Sequence, residues 1–138
     1  MSNNNSAADE KKMVEKGCFI NLVAIALADG QITHEEYDML YTIGRRFGIN
    51  TNEVDETINF HNQLEFIIPE TEQDRLKQLI SVVRMMWVDG SMDASEVALV
   101  KGFCSRLGYK EDQALKMIEK ISNLVLEEAS DSEIMAGL

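Results

Sequence analysis

The side chains best able to do chemistry in this chain are carboxylates that recur at one spacing. Asp29 and Glu36 lie in "ADGQITHEEYDMLYTIGRRFGI", residues 28–49. They return as Asp89 and Glu96 in "VDGSMDASEVALVKGFCSRLGY", residues 88–109, 60 positions on and without a gap. Gly30/Gly90, Arg46/Arg106 and Gly48/Gly108 return with them. Each copy reads Asp-Gly-x-apolar-(Thr/Asp)-x-x-Glu. Clustered carboxylate oxygens suit hard divalent cations such as Ca²⁺ or Mg²⁺, with water and backbone carbonyls completing the shell. Two or three carboxylates and water imply weak binding.

A calcium loop of the EF-hand type is excluded. The six-residue gap from Gly30 to Glu36 and the apolar Ile32 match the second half of such a loop. The first half fails, because its ligand positions fall on Ile25 and Leu27, or on Met85 and Trp87, which carry no oxygen. What remains is a helix end, a tight turn and a capped helix start. Glycine as terminator and a Thr/Asp–Glu capping box explain most of it. They do not explain Asp29 and Asp89, since an acid at a helix C-terminus faces the negative end of the dipole. Two roles suit Asp29: bonding the amides of the next turn, or holding a cation beside Glu35 and Glu36.

The elements that must position these residues are helical. Apolar residues recur at three and four, strand alternation is absent, and Pro69 is the one proline. From about residue 11, Val14, Cys18, Phe19, Leu22, Val23 and Ala26 form a stripe expected to stop at Gly30. Thr33 and Glu36 open the next helix, which buries Tyr37, Leu40, Ile43 and Phe47 and closes at Gly48. A third helix is expected at about 52–63, with Val54, Ile58 and Phe60 inward. In the second copy "PETEQD" reads as a first turn near residue 70. Leu76, Leu79, Ile80, Val83 and Trp87 make one face, ended at Gly90. Asp93 and Glu96 open a helix burying Val97, Val100, Phe103 and Leu107, closed at Gly108. Residues 111–127 follow, with Leu115, Ile118, Ile121 and Val125 inward, then a short helix around 130–136. "EFII" before Pro69 reads as an extended connection. Met85, Met86 and Trp87 are expected within the core.

The fold expected is all-α: a single compact bundle of six to seven helices, built from two pseudo-symmetric three-helix repeats at about 14–63 and 74–125. Residues 1–10, "MSNNNSAADE", are expected to be disordered, with one helical domain over 11–138. The length fits one domain able to bury a sizeable core without disulfides or structural zinc. Cys18 and Cys104, set among apolar residues, read as reduced core thiols. The net charge of −11, from 24 acids against 13 bases, disfavours nucleic acid and anionic membrane surfaces. No signal peptide and no membrane-spanning run is present, so a cytoplasmic location and no membrane insertion are expected.

Nothing singles out a catalytic group. Glycine-rich phosphate loops, nucleophile elbows and zinc-protease signatures are absent. His34 and His61 lack a serine or cysteine partner at a recognisable spacing. The chain therefore reads as a non-enzyme.

The doubled Asp-Gly…Glu…Arg-x-x-Gly pattern, carried by "DGQITHEEYDML…RRFGI" and "DGSMDASEVALVKGFCSRLGY", resembles the tellurite-resistance TerB family over most of residues 14–125. A related helical domain precedes the J-domain in some membrane-anchored DnaJ-like co-chaperones. The resemblance implies an all-helical fold of two related halves, a place in bacterial stress-response or membrane-associated complexes, and divalent-cation binding at the acidic turns. Carried over by position, the implied metal residues are Asp29, Glu35 and Glu36 in the first copy and Asp89, Asp93 and Glu96 in the second. The partner expected is another protein. The alternative is a purely structural adaptor without metal, for protein–protein interaction or homodimerisation through an exposed apolar face.

Overall fold

The computed structural model describes residues 7–28, 32–60 and 65–138, and in them every regular element is a helix. In chain order these are α1 (Ala7–Ala26), α2 (His34–Arg46), α3 (Thr51–Asn59), α4 (Glu72–Met86), α5 (Ala94–Arg106), α6 (Glu111–Leu126) and α7 (Asp131–Gly137). The all-α bundle expected from the apolar periodicity is thus present, with seven helices among the described residues.

Capping chemistry sets most of the boundaries. Thr33 accepts from the Glu36 N–H at 3.1 Å while Glu36 Oε1 accepts from the Thr33 N–H at 3.0 Å. Asp93 and Glu96 repeat this reciprocal pair at 2.8 and 3.2 Å, and Ser130 and Glu133 do so at the start of α7. Each box satisfies two amides that a helix start leaves without intrahelical partners. α2 and α5 also end alike. The Gly48 and Ile49 amides bond the carbonyls of Arg45 and Gly44 at 3.0 and 2.8 Å. The Gly108 and Tyr109 amides bond those of Ser105 and Cys104 at 3.0 and 3.1 Å. Gly48 and Gly108 sit at φ +76° and +100°, the left-handed position such endings demand.

Several boundaries move from their sequence expectations. α1 begins at Ala7, so residues 7–10 are helical; residues 1–6 lie outside the described residues. α1 ends at Ala26 and α4 at Met86, each four residues short of the glycine expected to stop it. Gly90, at φ +83°, instead forms a corner of the turn that follows α4, its N–H bonding the Trp87 carbonyl; Gly30 lies outside the described residues. α4 starts at Glu72 with Thr71 as its cap, so Pro69 precedes the helix rather than opening it. α3 stops at Asn59, which leaves Phe60 past the last turn and exposed. α6 buries Ala114, Ile118 and Ile121, and Leu115 lies outside that row, exposed. Of the three residues expected within the core, Met86 is buried and Met85 and Trp87 are half-buried. The Trp87 indole N–H needs an acceptor and finds Ser122 Oγ at 2.7 Å on α6.

The core runs through all seven helices, around Phe19, Leu22, Leu40, Ile43, Leu79, Ile80, Val83, Phe103, Ile121 and Ile134. α1 lies centrally, packed on α2, α3, α4 and α5. Its crossing with α4 joins positions 60 apart: Cys18 Sγ donates to the Gln78 carbonyl at 3.6 Å. α2 meets α3 closely at Gly44, where a Cβ would lie 2.7 Å from Val54 Cγ2. Tyr41 Oη also donates to Asp55 across that pair. The connection through Glu65–Ile68 is non-helical, as expected of "EFII". The buried Asn21 side chain satisfies its backbone, accepting from the Ile67 N–H at 2.9 Å and donating to the Ile67 carbonyl at 3.1 Å. Phe66 packs edge-on against Phe103 with ring centroids 5.3 Å apart.

Cys18 and Cys104 are buried and unpaired with each other. Burial pushes both thiols up, Cys104 to about 12, which leaves them without the thiolate character of a nucleophile. Among the described residues no helix is long and apolar enough to cross a membrane.

Candidate functional site

The two acidic corners begin with the same local chemistry and acquire different tertiary partners. At the second corner, Asp89 lies in the turn after α4, Asp93 caps α5, and Glu96 is its third residue. Arg46, at the end of α2, reaches across to this corner. Its Nη1 donates to Glu96 Oε2 at 2.7 Å and its Nη2 to Asp89 Oδ2 at 2.6 Å. Nη1 also donates to the Met85 carbonyl in the last turn of α4 at 3.3 Å. One guanidinium thus joins the ends of α2 and α4, the intervening turn and the start of α5.

This answers the question that Asp89 raises in the sequence. A carboxylate past a helix C-terminus adds negative charge where the carbonyls are already negative. Arg46 neutralises the carboxylate and satisfies one of those carbonyls together. The pair with Glu96 is largely removed from water: 11% of the Arg46 side chain and 10% of the Glu96 side chain are exposed, against 65% for Asp89. Burial works against the charge on Arg46, but the hydrogen bonds it donates to Glu96 and Asp89, with their negative charge, outweigh it and raise its pKa above the ordinary arginine value.

Both oxygens of Glu96, and one each of Asp89 and Asp93, are therefore engaged by protein. Glu96 Oε1 takes the Asp93 amide, Glu96 Oε2 takes Arg46, Asp93 Oδ1 takes the Glu96 amide and Asp89 Oδ2 takes Arg46. A divalent cation does not fit between Asp89 and Glu96, where a guanidinium already stands. Of the six metal residues implied by the family resemblance, five lie among the described residues. Asp29 lies outside the described residues. Glu35 is exposed on the first turn of α2, and Glu36 is half-buried with Oε1 given to the Thr33 amide. Among the described residues no three His, Cys, Asp or Glu side chains come together to hold a metal. His34 is exposed at the start of α2; His61 lies outside the described residues.

The first corner differs from the second in what it leaves open. Arg106, 60 positions after Arg46, is exposed, and no ion pair engages it among the described residues. Glu36 Oε2 likewise has no cationic partner there. Beside Glu36 runs an open groove of about 610 Å³, between the end of α1, one face of α2 and the first two turns of α5. The half-buried Ile25, Ala26 and Met39 give it an apolar floor, with Ala98 and the buried Ile43 and Leu99 completing its apolar lining. Five carboxylates, Glu35, Glu36, Asp38, Asp93 and Glu96, line it against a single cation, Arg46. Four of the six implied metal residues, Glu35, Glu36, Asp93 and Glu96, are therefore brought to one groove.

Arg46 and the groove are what sequence reasoning missed. The recurrence of Arg46 and Arg106 in the doubled motif is a signal for the arginine, but spacing alone does not tell which of the two becomes an ion pair. The groove has no signal in the sequence, because its walls come from three helices. No family model matches the sequence, and no curated protein or solved structure matches it.

Proposed function

We propose that this chain is a non-enzymatic, TerB-like helical interaction module that engages a protein partner through the groove between α1, α2 and α5. The observation that carries the reading is the groove itself, an apolar floor ringed by carboxylates on a chain of net charge −11. An apolar floor supplies burial, and a charged rim supplies orientation and association rate. The doubled Asp-Gly…Glu…Arg-x-x-Gly motif supports placing the module in a cytoplasmic stress-response or membrane-associated complex of the TerB kind. In the second acidic turn the Arg46 clamp takes the part that the resemblance assigns to a cation. It holds the angle between α4 and α5 and stiffens one wall of the groove.

Ala98 is exposed on the groove wall, so Ala98→Arg blocks the groove without opening the core. The proteins that co-purify specifically with the wild-type chain are expected to be lost with Ala98→Arg at an unchanged melting temperature. An identical partner set from both overturns the assignment of the groove. Calorimetry with Ca²⁺ and Mg²⁺ tests the clamp. Wild type and Asp89→Ala are expected to give the same isotherm. A cation-induced rise in melting temperature that Asp89→Ala abolishes would restore the metal reading.

A further inference from the structure

We infer that the occupant of the groove is a basic amphipathic helix of a partner protein, with one arginine placed on Glu36 as the chain's own Arg46 is placed on Glu96. This rests on the groove being the interaction site, and adds the partner's chemistry.

The second corner is the template. There, a glutamate at the third position of a helix gives one oxygen to its capping amide and the other to an arginine. Glu36 has the same capping bond, at 3.0 Å from Oε1 to the Thr33 amide. Its Oε2 has no cation among the described residues, although Glu36 lines the groove. The site is thus half of a pairing that the molecule completes elsewhere. Arginine suits it better than lysine, because a planar fork pairs with a carboxylate in a fixed direction.

The floor fixes the rest of the occupant. Ile25, Ala26 and Met39 are apolar, half-buried and come from two helices, as in grooves that take the i, i+3/i+4, i+7 face of an amphipathic helix. Met39 is an unbranched side chain able to re-pack around such a face. Carboxylates outnumber cations five to one around the lining, so the occupant's polar face must be basic. A second copy of this chain fits poorly, since it brings the same charge of −11. Nucleic acid and anionic lipid are repelled for the same reason.

The test uses a displayed library of random 16-residue peptides, panned against the full-length chain. Enriched peptides are expected to carry apolar residues at helical spacing with arginine on the flanking face. They are expected to bind at least tenfold more weakly to Glu36→Gln, which keeps the cap because glutamine also closes the box. Binding is expected to be lost with Ala98→Arg, and replacing the peptide's critical arginine by lysine is expected to cost several-fold. Peptides that need the groove but are acidic, non-helical or indifferent to Glu36→Gln overturn this inference and leave the groove as the interaction site. Peptides indifferent to Ala98→Arg, or no enrichment at all, overturn both. Far-UV circular dichroism and melting of each variant show that a loss of binding is not a loss of fold.

Discussion

The corners at Thr33–Glu36 and Asp93–Glu96 are alike in backbone and unlike in environment. Both close a reciprocal capping box, both open a 13-residue helix, and both helices end with the same pair of amide bonds at a left-handed glycine. Yet Glu96 is buried against Arg46, whereas Glu36 is half-buried at a groove. Arg46 crosses to the opposite half, and Arg106 points to solvent. A duplicated motif therefore reproduces what a few neighbouring residues decide and diverges in what distant residues decide. The copy that receives the arginine becomes structural. The copy that does not receive one keeps a carboxylate available to a partner.

The strongest way to break this comparison is to remove the arginines one at a time. Arg46→Ala leaves Glu96 buried without its counter-charge. It is expected to cost about 3 kcal/mol, the lower end for breaking a buried pair, because the Asp89 arm is exposed and contributes little. Arg106→Ala is expected to stay within about 0.5 kcal/mol, as for an exposed surface change. Urea denaturation measures both, and equal losses would erase the distinction. The glutamates sharpen it. Glu96→Gln keeps the cap but loses a charged hydrogen bond, at about 2 kcal/mol, whereas Glu36→Gln is expected to be close to neutral. Their difference at pH 7 isolates the clamp from the cap.

The caps themselves should not distinguish the corners. Thr33→Ala and Asp93→Ala each remove one side-chain acceptor from a helix start, and each is expected to cost about 1 kcal/mol. A much larger loss at Asp93 would show that the cap and the Arg46 pair are coupled, which a double mutant with Arg46→Ala measures. A change of opposite sign concerns a third helix end. α6 closes with the same amide bonds as α2 and α5, from Glu128 and Ala129 to Val125 and Leu124, but with Glu128 at φ +62° where the others have glycine. Glu128→Gly relieves that conformation. It is expected to raise stability by about 0.5–1 kcal/mol, read as a higher melting temperature.

The helices and their boxes were largely legible because the forces that make them are local. Thr33 with Glu36, and Asp93 with Glu96, bond across three residues, and the apolar stripes of α1, α2 and α5 follow from a period of 3.6. Boundaries failed where a glycine marks a turn rather than a helix end, as at Gly90, and where a row shifts by one position, as at Leu115 against Ala114. The acidic residues were legible as a repeated feature and illegible as to role. Asp89 resembles a cation ligand in sequence, and its partner Arg46 lies 43 positions away.

The residues in order already make this chain helical, set where its acidic helix starts fall and give it a strong negative charge. These follow from residue type and short spacing. Which carboxylate at the groove is neutralised from within, as Glu96 is, and which meets it without a cation, as Glu36 does, is settled by the packing of distant helices. That choice depends on how α2 crosses toward α4 and α5, and a guanidinium pairs with whatever the packing of distant helices brings within about 3 Å.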